Sequence, residues 1–277
     1  MKSNQAKVRA AQHRAQLRML ARGALWICIV ALSIPASIGE AGGVQLTPEQ
    51  MKNTLLNGTP AQRALLAKTL RLSIPKETRA GAAEDIPCPD TDSVDSQNVT
   101  LRKPGPQTVL VVHSHECSYV FLVVLERNAE NAWSLVQTVP IVVHAAEPQI
   151  EFESLVEAGE KEIIVRHNEE DYGTGIIKMD LTILRLTQSG LAVVFDETEH
   201  LVFAIPSNQP DDQPEKNTEE YIDSEFRFVS PDAPDATSLR WIEQKETIHK
   251  HKTEMVLYWR FVWNPRTKRF QSVANSP

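Results

Sequence analysis

Apolar and polar residues alternate through most of the chain beyond residue 107. Segments 108–113, 119–126 and 133–139 are dense in Val, Leu and aromatic residues, with a turn, Arg127-Asn-Ala-Glu-Asn131, between the second and third. Segments 141–144, 150–155, 161–167, 176–186, 191–196 and 201–205 continue the series, separated by Gly, Asn, Gln or charged residues. Segments 225–230, 239–248 and 255–263 supply the last long strands, and Asn264-Pro-Arg-Thr-Lys268 turns into 269–273, so the final three strands read as a meander. No amphipathic stretch of helix length interrupts them. The pattern argues against βαβ units and predicts a mainly β domain over 107–273: an antiparallel sandwich, a barrel or a propeller-like meander.

Residues 45–74 follow a different rule. Thr47-Pro-Glu-Gln50 and Thr59-Pro-Ala-Gln62 each place Thr at an N-cap, Pro at the first helical position and Gln two residues further on, so that hydroxyl and amide satisfy exposed backbone donors reciprocally. Asn57-Gly58 ends the first helix, and Leu65, Leu66, Leu70 and Leu72 give the second an apolar face. The two form a short N-terminal helical hairpin that must dock on the β body or on a partner, because helices of this length are not stable alone. Residues 75–106 read as a polar, Pro-rich connector, and the acidic, Pro-rich run at 206–220 as a solvated loop.

Ahead of the hairpin lies an export pattern. Lys2, Lys7, Arg9, Arg14, Arg18 and Arg22 precede an apolar core at 24–36, which is closed by Pro35 and the small residues Gly39, Ala41, Gly42 and Gly43. The core is shorter than the ~20 residues a membrane span needs, so residues 1–41 read as a signal peptide cleaved after Ala41, with Met1 or Met19 as the start and no stable membrane span after cleavage. The mature chain is expected to be secreted or periplasmic. Of 29 basic and 36 acidic residues, segment 1–41 holds six and one, leaving a mature net charge of −12. That balance argues against nucleic acid as a partner. Only Cys88 and Cys117 then remain, and an even count in an oxidising compartment predicts a disulfide between them.

One stretch has a family resemblance. Phe152-Glu-Ser-Leu-Val-Glu-Ala-Gly-Glu-Lys-Glu-Ile-Ile-Val165 resembles a degenerate VCBS or FG-GAP repeat, in which a strand leads into an acidic, Gly-containing calcium loop and then into a strand that begins with an acid and β-branched residues. Ser154, Val156 and Ala158 replace the alternating Asp/Asn ligands, leaving Glu153, Glu157 and Glu160, too few well-placed oxygens for calcium. The resemblance implies a propeller-like strand rhythm without metal. No second copy recurs at a fixed period.

Catalytic signatures are missing. The sequence has no Gly-x-Ser-x-Gly elbow, no His-Glu-x-x-His, no phosphate-binding glycine loop and no dinucleotide fingerprint. Ser73-Ile-Pro-Lys76 matches Ser-x-x-Lys by letters, but Pro75 breaks the helix that would bring Lys to the nucleophile. His113-Ser-His115-Glu116 and His249-Lys-His251 are His-x-His patterns that could chelate a metal if a third ligand such as Glu116, His144 or His167 converged, but hydrogen-bonded or solvent-exposed histidines are the ordinary outcome and the one expected here. Trp259, Phe261 and Trp263 share one strand face and Tyr258, Arg260 and Val262 the other. The first row is expected in the core, with Trp241 joining it, and would form a ligand face if it were exposed.

These features point to an exported, non-catalytic binding or structural protein without cofactor, whose partner is an envelope or extracellular protein or a glycan. The competing readings are a secreted hydrolase in which acids among Glu151, Glu153, Glu169, Glu170 and Asp171 meet in a cleft, and a carbohydrate-binding module.

Overall fold

A computed structural model describes residues 46–75, 85–143, 146–171, 176–203, 220–229, 241–250 and 253–273. The expected signal peptide, His144, His251 and nearly all of the acidic loop lie outside the described residues.

The helical hairpin is present. Helices α1 (Pro48–Asn57) and α2 (Pro60–Thr69) both open with a capping box. Thr47 Oγ1 accepts from the Gln50 N–H at 3.2 Å while Gln50 Oε1 accepts from the Thr47 N–H at 2.8 Å, and Thr59 and Gln62 repeat the exchange. Met51, Leu55, Leu66, Ala67 and Leu70 are buried, whereas Leu65 is 68 % exposed. Leu65 and Leu66 point about 100° apart on a helix, so only one of them can face the sheet, and Leu66 does.

Fourteen strands are described. Strands β1 (Ser73–Ile74) and β2 (Ile86–Pro87) form a small antiparallel pair beside the hairpin. Strands β3 (Ser93–Val99), β4 (Gln107–Ser114), β5 (Tyr119–Arg127) and β6 (Trp133–Val142) form a four-stranded antiparallel sheet in chain order. An eight-stranded sheet, also in chain order, follows: β7 (Gln149–Glu153), β8 (Glu162–Asp171), β9 (Ile176–Thr187), β10 (Gly190–Phe203), β11 (Glu220–Val229), β12 (Trp241–Lys250), β13 (Thr253–Asn264) and β14 (Arg269–Val273).

The larger sheet is two meanders joined at a narrow seam. Strands β9 and β10 pair through twelve residues each, but β10 and β11 through only four, His200–Phe203 against Glu220–Asp223. At this seam β11–β14 fold back over β7–β10, so that the Phe195 ring on β10 lies 5.0 Å from Phe261 on β13 and 6.2 Å from Phe270 on β14. The described residues thus form three four-stranded meanders in face-to-face layers, with the helices on the outer face of the first.

Three apolar layers separate these units. Between helices and first sheet lie Met51, Leu55, Leu66, Leu110, Val112 and Phe121. Between first and second meander lie Val109, Leu122, Val124, Ile163, Val165 and Leu184, and between second and third lie Ile164, Ile183, Phe195, Ile242, Phe261 and Trp263. Strand β5, buried on both faces, is accordingly an unbroken apolar run, while outer strands alternate. Polar pins join the layers as well. Gly190, at φ +116°, brings the β10 backbone against Gln137 of β6, whose Oε1 accepts from the Leu191 N–H at 2.7 Å; a Cβ at Gly190 would strike that oxygen.

Several sequence expectations need correction. Segments 133–139 and 141–144 are one strand, β6, which passes through Pro140; β6 is the last strand of its sheet, so the missing N–H interrupts no second ladder. Segments 191–196 and 201–205 are likewise one strand, β10, with register shifts at Val193/Phe195 and Thr198/His200. The first of these β-bulges explains why the neighbours Val194 and Phe195 are both buried in the same core layer. The connector also contains β3, a strand whose buried apolar residues are only Val94 and Val99. At the far end of the acidic loop, Glu220 already belongs to β11.

Candidate functional site

The densest group of titratable side chains gathers where β4 turns into β5. His113, in β4, is buried on the face directed at the second meander, and His115, one residue past the end of β4, is largely exposed. The two therefore do not share a strand face. Glu147, just ahead of β7, joins them: its Oε2 lies 3.4 Å from His113 Nδ1 and its Oε1 lies 3.3 Å from His115 Nε2. Asp92 adds a second carboxylate, 3.0 Å from His115 Nδ1, and its Oδ2 accepts the His115 backbone N–H at 2.6 Å. Asp95 Oδ2 lies 4.0 Å from His113 Nε2. The backbone N–H of His115, helped by both imidazoles, holds the Asp92 carboxyl below its ordinary value against the opposing effect of partial burial.

The disulfide expected between Cys88 and Cys117 fixes this corner covalently. Cys88 is fully buried among the helix residues, and its N–H donates to Leu72 O at 2.8 Å. The bridge thus ties the segment leading into β3 to the β4–β5 turn, and Asp92, His115 and Glu147 tie the same turn to the segments before β3 and β7.

Glu116 is exposed in that turn, and His167 is buried in β8. Among the described residues, no group of three or more His, Cys, Asp or Glu side chains is arranged to hold a metal ion. His249, expected in a turn, lies within β12 and stacks on Tyr221 at 4.1 Å between centroids. What sequence reasoning missed here is Glu147, which stands 32 residues after His115 in a polar segment with no motif around it.

A second charged cluster occupies the loop that resembles a calcium repeat. Residues 152–165 comprise the end of β7, a turn and the start of β8, with Gly159 at φ +82°. A cation from elsewhere in the chain meets the acids: Arg185 of β9 donates to Glu162 at 2.8 Å, to Glu160 at 2.8 Å and to Glu157 at 3.2 Å. Glu162 is fully buried and also accepts the Leu155 N–H at 2.8 Å. Burial raises the Glu162 carboxyl above its ordinary value, with the Leu155 N–H and Arg185 opposing. The neighbouring loop of the first meander docks here, with the Lys103 N–H donating to Glu160 at 3.0 Å and the Lys161 N–H to Thr100 O at 2.8 Å.

The aromatic strand separates its two rows. Phe261 and Trp263 are buried and Trp259 is half-buried against the third core layer, whereas Tyr258 is 66 % exposed. Trp241 does not join the buried row. It pairs with Val262 and lies on the outer face, with the Arg260 guanidinium 5.0 Å over its ring and its Nε1 donating to Glu243 at 3.0 Å. Alternation from Ile242, which pairs with Phe261, dictates this.

Of the acids considered for hydrolysis, Glu151 pairs with Arg166 at 2.9 Å and Glu153 is exposed. Glu169, Glu170 and Asp171 belong to β8, and their side chains lie outside the description. Comparison with protein-family models, with curated proteins and with solved structures returned no match.

Proposed function

We propose that this chain is an exported, non-catalytic binding or structural protein of an envelope or extracellular assembly. The observation that carries the reading is the Cys88–Cys117 disulfide, set in a corner where Cys88 is fully buried. Such bridges persist in oxidising compartments, and the Arg-bearing, apolar N-terminal segment supplies the route there. The layered meanders support a scaffold role: their charged clusters are spent on internal contacts, Arg185 holding Glu157, Glu160 and Glu162, and Glu147 joining His113 to His115. The hydrolase reading is weaker because Glu151, one of its candidate acids, is engaged by Arg166.

Fractionation of the native host with an antibody against the folded chain tests the proposal. Recovery in the periplasm or medium is expected. Recovery in the cytoplasm with both thiols reduced contradicts it.

A further inference from the structure

The layered fold ends differently on its two sides. At the first meander the outer face is covered by α1 and α2, whose Met51, Leu55 and Leu66 complete a core layer. At the last meander the outer face carries Tyr258, Val256, Val262 and Val273, which are 66 %, 37 %, 36 % and 46 % exposed. Strand register puts these side chains on one surface with Trp241, since Trp241 pairs with Val262 and Arg260 with Val273. On this face apolar side chains are interleaved with charged ones, the mixed composition of a protein–protein interface.

We propose that this outer face of β11–β14 is covered by the same face of a second copy of the chain, giving a two-fold symmetric dimer. Charge selects that occupant. On this face the acids Asp223, Glu225, Glu243 and Glu254 are balanced by the bases Arg227, Lys245, Arg260 and Arg269, on a chain whose net charge is −7. A neutral face offers nothing to attract a strongly charged partner, yet it lets two acidic molecules meet without like-charge repulsion. Several of its charges are already satisfied within the face: Glu243 accepts from both Trp241 and Arg260 at 3.0 Å, and Lys245 donates to Glu225 at 3.3 Å. The indole N–H can therefore be buried without becoming an orphan donor.

The size is adequate. Four strands at ~4.8 Å spacing and about ten residues of ~3.3 Å each cover roughly 600 Å² in projection, and side-chain relief brings this toward the ~800 Å² per partner of a stable interface. Self-complementarity suits the two-fold arrangement, in which each residue meets its equivalent's neighbours across the axis.

Sedimentation equilibrium of the purified, oxidised chain tests the proposal, with near-ultraviolet circular dichroism to confirm that each variant is folded. The wild-type chain is expected to be a dimer. Tyr258→Lys and Val262→Glu should weaken dimerisation by about 100-fold or more without loss of fold, because burying an unpaired charge opposes the interface. Leu65→Lys, at the helical end, should leave the dimer intact. A wild-type chain that is monomeric at every concentration overturns the proposal, as does a dimer indifferent to both face variants or one lost only on Leu65→Lys. A monomer retained on polysaccharide through Tyr258 would assign the face to a glycan and overturn it equally.

Discussion

Arg185 on β9 lies with its guanidinium carbon 5.6 Å from the ring centroid of Trp263 on β13, and it gives the same cation to Glu160 and Glu162. One side chain therefore links the β7–β8 loop of the second meander to a core aromatic of the third. The acids of that loop thus meet a fixed cation supplied by the chain itself.

Arg185→Met is expected to destabilise the protein by about 3–5 kcal/mol, because Glu162 would remain buried without its cation. Urea unfolding measures this. The double variant Arg185→Met, Glu162→Gln should recover part of the loss, and a double-variant loss equal to the sum of the two single-variant losses would show the pair to be uncoupled.

Glu162 also predicts a pH dependence. Its carboxyl is raised in the folded state relative to an ordinary value of 4.5, so the folded protein holds this proton more tightly than the unfolded chain does. The resulting stabilisation is complete below about 4.5 and is lost as pH rises through the folded value. Stability of Glu162→Gln should lack that decline, and identical pH profiles for variant and wild type would contradict the assignment.

Reduction of Cys88–Cys117, which are 29 residues apart, should lower stability by about 3.6 kcal/mol in the chain-entropy model. Thermal unfolding with and without reductant gives the number. An unchanged melting temperature would mean that Asp92, His115 and Glu147 hold the corner without it.

Phe261→Ala should cost about 3–5 kcal/mol, since its ring is 4 % exposed and meets Phe195 in the third core layer. Tyr258→Ala, on the opposite face of β13, should change the stability of the dissociated monomer by no more than about 0.5 kcal/mol. Chemical denaturation of the two variants compares the faces directly, and similar losses would contradict the division.

Local rules made much of this fold legible. Two Thr-Pro-x-Gln boxes place α1 and α2 because capping is a short-range interaction, and alternation in 255–263 sorts Phe261 from Tyr258. The failures share a cause: the deciding contact is distant in sequence. Polar β3 is a strand only because β4 pairs with it, and Pro140 is accommodated only because β6 is last in its sheet. The three meanders begin at residues 93, 149 and 220, so the intervals differ and no fixed period announces them. The face of Trp241 is set by the register that opposes it to Val262, and Glu147 meets the histidines through the fold alone.

Intact mass of the protein recovered from its native host, measured before and after reduction and alkylation, tests the account most directly. It predicts an N-terminus between Ala36 and Gly43 and two cysteines that alkylate only after reduction. A cytoplasmic or membrane-held product beginning at Met1 or Met19, with both thiols open to alkylation from the start, would contradict it.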